Sequence, residues 1–345
     1  MNAPSPGEPM NAWVIDDFGG PDVFERREVP APEVQPDHVL VRVAATSVNP
    51  IDYKIRSGAA AAFAPEGRPA VLHGDVAGTV AAVGEDTAER FSEGDAVYAC
   101  AGGFRGAPHG ALADVMLADA DLVAPAPPAL SVAEAAALPL VTLTGWEALV
   151  DKAAVGEGDR VLVHGATGGV GHVALQLAKA RGAEVTVTAS SAEKLQRGSD
   201  LGADHGVNYE EEAVASYKTR LTDGQGFDVV FDTVGGDNIE RCVEAAALNG
   251  AVASIAAREE HDLLPVYTKG LTLHTVLMLI PMMHGVGRAR HGEILREAAR
   301  LAGDGALRPL LDERRFTFDD IGAAHARAAS GEHLGKVVAL HPGAA

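Results

Sequence analysis

Two rhythms of hydrophobic and polar positions divide this chain. From residue 10 to about 125, short apolar runs break at Gly, Pro and Asp. Five of them read as strands, at residues 11–15, 39–45, 76–83, 96–98 and 111–117. Their alternation is partial, as in a small barrel whose interior is filled by side chains. The stretch APAPP at 124–128 is a stiff boundary. Ser131 and Glu134 then stand at the spacing of a capping box that opens a helix. From there to Leu279, β-branched runs alternate with runs of helical period, which predicts a parallel sheet with helices on both faces. Among these runs are FDVVFDTVGG (227–236), GAVASIA (250–256) and LTLHTVLML (271–279). A helix around 294–301 and a closing strand at 336–340 complete the pattern.

The densest signal lies at 160–194. Residues 160–164 are a β-branched run, and residues 165–171 form a turn with four glycines. Val173, Leu175, Leu177 and Ala178 follow on a helix closed by Gly182, and residues 184–188 restart strand alternation. A glycine turn between a buried strand and a helix lets backbone N–H groups and the helix dipole hold a pyrophosphate. Against G-x-G-x-x-G, Ala166 stands at the first glycine, while Gly168 and Gly171 are kept. Thr167, Gly168, Gly169 and Val170 lie within this turn. An NAD site normally carries Asp or Glu at the end of the second strand. Here that place is small and neutral, with the Ser190 hydroxyl and the Lys194 cation close by. The expected cofactor is therefore NADPH, its 2′-phosphate held by Ser190 and Lys194.

Composition narrows the partners. The 345 residues suit two domains rather than one, and the formal net charge of −20 argues against nucleic acid and anionic membrane surfaces. Cys100 and Cys242 alone make no disulfide framework, which fits a reducing cytoplasm. The first nine residues lack the basic and apolar regions of a signal peptide and read as a tail. Apolar windows are interrupted by Glu134, Pro139 and Glu147, or by His274 and Pro281, so no membrane span is expected.

Six motifs occur in one order: TSVNPIDYKIRSG (46–58), HGDVAGTVAAVG (73–84), EGDAVYA (93–99), LPLVTLTGWEAL (138–149), HGATGGVG (164–171) and GKVVAL (335–340). Together they resemble the medium-chain dehydrogenase/reductase superfamily, in its zinc-independent quinone oxidoreductase (zeta-crystallin-like) branch. The resemblance implies an α/β protein with a Rossmann doubly wound parallel sheet and a GroES-like β-barrel catalytic domain. The barrel would take 1–130 and 284–345, and the NADP-binding domain 131–283, with the cofactor in the cleft between them. It also implies that Asn49 sits beside the nicotinamide, with Asp52 and Tyr53 as further catalytic candidates in the same loop. Thr167, Gly168, Gly169 and Val170 would contact the pyrophosphate. Thr144 would meet the nicotinamide or its phosphate, Tyr209 would flank the 2′-phosphate or adenosine, and Val234 and Gly235 would line the adenine side. Ile255 and Ala256 follow the fifth strand, where the family usually has Gly at the position of Ala256. Lys336 matches the terminal Gly-Lys motif as a cofactor contact, or serves as a strand-edge cation that discourages aggregation.

Zinc-dependent relatives carry Cys where this chain has Asn49 and His where it has Gly74; His73 is out of register. A catalytic zinc needs three converging protein ligands, so none is expected. Most histidines, including His109, His164 and His172, read as surface or packing residues. Without a Lewis acid or a Tyr-x-x-x-Lys pair, the substrates left are those that already accept hydride, namely quinones and C=C bonds conjugated to a carbonyl. Two alternatives stay open: an enoyl-thioester or biosynthetic enoyl reductase, for which Arg56 and Arg105 would supply a local basic groove, and a non-enzymatic cofactor-binding protein. Residues 271–279, apolar on both faces, predict an outer strand that pairs with its own copy in a homodimer.

Overall fold

The computed structural model describes residues 4–343; residues 1–3 of the predicted tail lie outside that range. The chain divides into two compact units. One comprises Met1–Leu140, Leu279–Gly305 and Pro309–Ala345; the other comprises Val141–Met278 and Ala306–Arg308.

In the first unit the hub is the long strand His38–Val48, which pairs antiparallel with Asp75–Val83, Val115–Asp119 and Val337–Leu340. Its sequence, HVLVRVAATSV, explains this: Val39, Val41, Val43 and Ala45 are buried, and the small residues Ala44 to Ser47 admit close neighbours. Three strands that meet one hub bring together residues far apart in sequence. Register sets Val337 opposite Val48 and Asp75 opposite Cys100. A smaller sheet, Pro9–Ile15 with Glu25–Pro30 and Ala70–Val71, packs Met10, Ala12 and Val14 against Leu40, Val115 and Leu117. The strand predicted at 111–117 begins only at Val115. Asp114 is held out of the ladder, its carboxylate accepting from Asn11 N and Nδ2 and meeting His341.

The second unit is a six-stranded parallel sheet in the order His205–Asn208, Glu184–Ala189, Arg160–His164, Phe227–Asp232, Ala246–Ser254, Thr272–Thr275. Side-chain alternation builds two cores. Val161, Val163, Val185 and Val187 pack with Ala174, Leu175 and Ala178 on one face, while Leu162, Val230 and Val252 meet Tyr217, Ile239 and Cys242 on the other. Each such aliphatic side chain stabilises by about 1.5–3 kcal/mol on burial, which is why these strands read as continuous apolar runs.

The last strand departs from expectation. Only Thr272–Thr275 is strand, and Thr272 and Thr275 are exposed. The chain then turns, Val276 N donating to Ser254 O, and helix Ile280–His284 opens with Pro281 in its first turn. Val276, Met278 and Leu279 are buried. Leu271 and Leu273 are half-buried and Leu277 is exposed, so Thr272–Thr275 forms the sheet's outer edge while only the end of the run turns inward. Among the described residues no helix is long and apolar enough to cross a membrane.

Candidate functional site

Asn49 ends the hub strand and starts helix Pro50–Arg56, so its side chain lies where strand ladder gives way to helix. It is fully buried. Its backbone N–H donates to Asp52 Oδ2 at 2.7 Å, half of a capping box that fixes the loop. Its amide Nδ2 donates to Asp75 Oδ2 at 2.7 Å, and its Oδ1 accepts from the Lys336 ammonium. Asp75 is fully buried too, and its carboxylate also accepts from Ser47 Oγ at 2.6 Å and Leu140 N at 2.8 Å. Lys336 Nζ stands 3.6 Å from Asp75 Oδ2, so the interior holds an ion pair bridged by an amide. Burial, together with repulsion from Asp75, pushes Asp52 up to about 8. Burial likewise lowers Lys336, against the raising influence of Asp75 and Asp52. Tyr53 follows on the helix and is half-buried.

Beside this cluster runs a second buried chain. Thr46 Oγ1 donates to Asp75 O at 2.6 Å and therefore accepts from His73 Nδ1 at 3.1 Å. That places the His73 proton on Nδ1 and makes its Nε2 the acceptor in the 2.7 Å contact with His325 Nε2. Burial pulls His73 down to about 3, with Lys336 adding repulsion, and pulls His325 well below the usual imidazole range. Sequence reasoning treated most histidines as surface or packing groups. Five are buried packing residues, His73, His164, His172, His291 and His325. Asp75 and Ser47 went unremarked; no local pattern marks them, because their partners lie on other strands.

In the second unit the glycine turn has the form the phosphate reading requires. Strand Arg160–His164 ends at Gly165, whose φ is +81°, and helix Gly171–Ala180 begins six residues on. A Cβ on Gly171 would lie 1.9 Å from Gly165 O, so only glycine lets the helix start this close to the strand. Gly168 is exposed, and Gly169 and Val170 are half-buried. Thr167 is buried beneath the turn. At the next strand end, Ser191 is the helix cap, its Oγ accepting from Lys194 N at 3.3 Å. Ser190 is thereby left free of capping, and its Oγ accepts from Lys194 Nζ at 3.2 Å. Tyr209 N donates to Ala189 O, which brings this 46% exposed tyrosine to the same end of the sheet.

Asp232 ties the remaining strand ends together. Its Oδ1 accepts from Val234 N and Gly235 N, both at 3.0 Å, and its Oδ2 accepts from Ser254 Oγ at 2.7 Å. Ile255 N donates to Asp232 O. Gly235 has φ +81°, and a Cβ there would come 2.6 Å from the Cβ of Ala256. The alanine that departs from the family pattern is thus accommodated by a glycine facing it. Thr144 is buried on helix Pro139–Trp146. Thr167, Gly168, Gly169, Val170, Ser190, Lys194, Tyr209, Val234, Gly235, Ile255 and Ala256 all gather at the carboxyl ends of one sheet, the edge where open α/β sheets bind ligands. Asn49, Asp52, Tyr53 and Lys336 belong to the other unit.

Residues 35–128 match the alcohol dehydrogenase GroES-like domain, and residues 169–289 the zinc-binding dehydrogenase family. A 2-methylene-furan-3-one reductase of Solanum lycopersicum is 33% identical over 96% of this chain and 79% of its own. In Arabidopsis thaliana, a chloroplast envelope quinone oxidoreductase homolog is 30% identical, covering 96% of this chain and 98% of its own. A chloroplastic NADPH-dependent alkenal/one oxidoreductase of the same plant is also 30% identical, over 95% and 79%. A crystal structure of an alcohol dehydrogenase superfamily protein from Novosphingobium aromaticivorans superposes with a TM-score of 0.90 at 40% identity, covering 96% of this chain and 99% of that one. The chain belongs to the medium-chain dehydrogenase/reductase superfamily, in its quinone oxidoreductase branch.

A metal in this superfamily would be held around Asn49 and Gly74, and the donors there do not suit it. Both Asp75 oxygens already accept hydrogen bonds, and both His73 nitrogens face partners. The Lys336 ammonium supplies a fixed positive charge in the same place. A Cβ at Gly74 would meet the Phe104 ring at 2.3 Å, so no ligand side chain fits there without repacking. Among the described residues no cluster of three His, Cys, Asp or Glu side chains is placed to hold a metal ion.

Proposed function

We propose that this chain is an NADPH-dependent, zinc-independent oxidoreductase that reduces quinones or α,β-unsaturated carbonyls. The observation that carries the proposal is the state of the Asn49 site. Groups that would ligate a metal are committed to hydrogen bonds, while Asn49 keeps one uncommitted N–H on Nδ2. One neutral donor suits a substrate whose oxygen gains charge only as the reaction proceeds.

NADPH fits the second unit on the geometry of the glycine cradle, and when bound it would supply a hydride to the quinone or to the β-carbon of the enone. Gly169 and Val170 would hold the pyrophosphate through backbone N–H groups; Gly168, expected to do the same, donates its N–H to Gly165 O at 3.0 Å and with Thr167 shapes the turn, while Thr144 lies on the nicotinamide side. Ser190, Lys194 and Tyr209 would hold the 2′-phosphate and adenosine, and Val234, Gly235, Ile255 and Ala256 would line the cofactor's length. Asn49 donates to the oxygen that gains negative charge, a quinol or an enolate oxygen, and a proton from solvent completes the reduction. Asp52 fixes the loop that carries Asn49, and Tyr53 is the next hydroxyl along it. The partner is a small molecule. The working protein is a cytoplasmic homodimer, joined through Thr272–Thr275, which has no strand on its outer side among the described residues. That four-residue edge offers a shorter ladder than the sequence promised, and exposed Leu263, Leu264 and Tyr267 just before it would add to the contact.

The enoyl-thioester reading needs a basic groove that these residues do not form. Arg56 is buried and donates to Gly19 O, while the exposed Arg105 has Glu66 4.0 Å away.

The test is NADPH oxidation with quinones, enones and enoyl thioesters, in chelator, alongside elemental analysis. Turnover of quinones or enones that survives chelation by metal-free protein is expected. One zinc per chain, lost together with activity, would overturn the zinc-independent assignment. Turnover confined to thioesters would overturn the substrate class.

A further inference from the structure

Lys336 has no assigned task in the reaction above, yet its placement is tightly determined. Gly335 has φ +63°, and a Cβ on it would lie 1.9 Å from Leu310 O, so only glycine lets the chain run this close. Lys336 N then donates to Leu310 O at 2.8 Å, and Asp312 N donates to Lys336 O at 2.9 Å. With Val337 opposite Val48, the lysine is delivered across the ladder to Asn49, and its side chain is 2% exposed. It is therefore no strand-edge cation. Its ammonium donates to Asn49 Oδ1 and to Val48 O at 3.4 Å, and pairs with Asp75 Oδ2 at 3.6 Å.

A side-chain amide has two ends of nearly the same shape, and only its partners decide which way it faces. Here the choice is forced. An ammonium can only donate, so the amide oxygen faces Lys336. The Asp75 oxygen 2.7 Å away takes an N–H, so the nitrogen faces Asp75. Reversing the amide would set N–H against ammonium and carbonyl against carboxylate. We propose that Lys336 is a positioning residue whose buried ammonium, paired with Asp75, locks the Asn49 amide so that its remaining N–H is presented as the donor of the site. This rests on the reading that Asn49 acts on the substrate oxygen. It also explains why the fold keeps a costly buried ion pair where an apolar pair would be cheaper.

The proposal is tested on the holoenzyme with Lys336→Met and with the charge-matched double variant Lys336→Met/Asp75→Asn, which avoids leaving a lone buried carboxylate. Lys336→Ala is assayed with and without ethylammonium. Turnover of quinone should fall roughly 10- to 100-fold, the range for outer partners that orient a working side chain. NADPH affinity should stay within about twofold. Ethylammonium should restore part of the loss in Lys336→Ala and nothing in Lys336→Met. Unchanged turnover in a folded Lys336→Met variant would overturn the proposal, and so would lost NADPH affinity with turnover intact at saturation. An activity-independent readout separates this idea from the reaction it serves. In isotope-labelled asparagine spectra, the two Asn49 Nδ2 protons should be exchange-protected in the parent protein and lose protection in Lys336→Met. Protection that persists in the variant overturns positioning whatever the activity. Loss of protection in a protein that reduces no quinone or enone supports positioning and removes the substrate assignment alone.

Discussion

The Asn49 cluster and the glycine turn, in the roles proposed for them, would recognise their targets by opposite means. Around Asn49 the working parts are side chains, drawn from residues 47, 49, 75 and 336, all buried and nearly all spoken for. In the turn at 165–171 the proposed working parts are the backbone N–H groups of Gly169 and Val170, on a half-buried stretch where side chains are few, while Gly168 N donates to Gly165 O at 3.0 Å. One site is a closed polar network whose strength lies in mutual constraint; the other is an open cradle whose strength lies in shape. It follows that the first should depend on which side chains are present, and the second chiefly on which are absent.

The sharpest test of that contrast is Asn49→Ala. Removing one donor of an oxyanion-type site lowers turnover by about 10² to 10³-fold. Quinones that accept hydride readily should fall at the low end and enones at the high end, with NADPH affinity unaltered. Steady-state kinetics beside a binding titration would check this. Equal loss of binding and turnover would mean the two regions are not separable functions.

The converse test is Gly171→Val. The added side chain is chemically inert, but its Cβ would start 1.9 Å from Gly165 O. Overpacking of this kind costs roughly 1–3 kcal/mol or more, which if borne by the bound state alone weakens NADPH by about 5- to 150-fold. Calorimetric titration should show that loss, with thermal stability of the first unit preserved. Retained affinity would mean the turn is not the phosphate cradle.

The two regions also differ in how far the sequence reveals them. Residues 160–194 announce strand, turn, helix and strand within one contiguous window, because backbone recognition writes itself in glycines at fixed short spacings. The Asn49 cluster is assembled across 26 positions to Asp75 and 287 to Lys336, by strands that meet one hub. Asn49 and Lys336 stood out only through motif resemblance, and their pairing is a product of register. The strand expected at 271–279 forms only over Thr272–Thr275, at the outer edge of the sheet, for a related reason. Apolar alternation says that residues will be buried but not whether a sheet edge or a loop buries them, and Pro281 turned the end of the run into a helix start. Which histidines would be buried could not be read from the sequence, because burial of a lone His leaves no periodic trace.

Those histidines give a third test, on stability. His73 and His325 stay neutral in the fold, His73 down to about pH 3, while in the unfolded chain each takes a proton near the ordinary imidazole value. Below about pH 6.5 the unfolded state therefore binds more protons, and stability falls as pH falls, by about 1.4 kcal/mol per pH unit for each such group. Above that pH the contribution is complete. His325→Phe should flatten the acid limb by about one proton's slope in denaturant titrations between roughly pH 6 and 4. An unchanged slope would mean that the pair opens before it titrates.

The smallest expected effect lies at the rim of the cradle, where the contrast softens because side chains rather than backbone choose the cofactor. Ser191 takes the helix cap, so Ser190 Oγ is left to Lys194 Nζ at 3.2 Å, and the pair sits half-exposed at the strand end. No acid stands at that strand end to hold a ribose 2′-hydroxyl, and a 2′-phosphate would find one cation and one hydroxyl already in contact. Solvent screens such a rim, so each contact contributes about 1 kcal/mol, or several-fold in affinity. Lys194→Ala should therefore weaken NADPH by roughly fivefold and leave NADH nearly unchanged, narrowing the preference without abolishing it. Raising the salt should do the same to the parent protein in a graded way, since only the NADPH contact carries the extra charge. Titrations of both cofactors at two salt concentrations read this directly. If NADH weakens as much as NADPH, then Lys194 serves the helix and not the phosphate, and the choice of cofactor must be made elsewhere on the sheet.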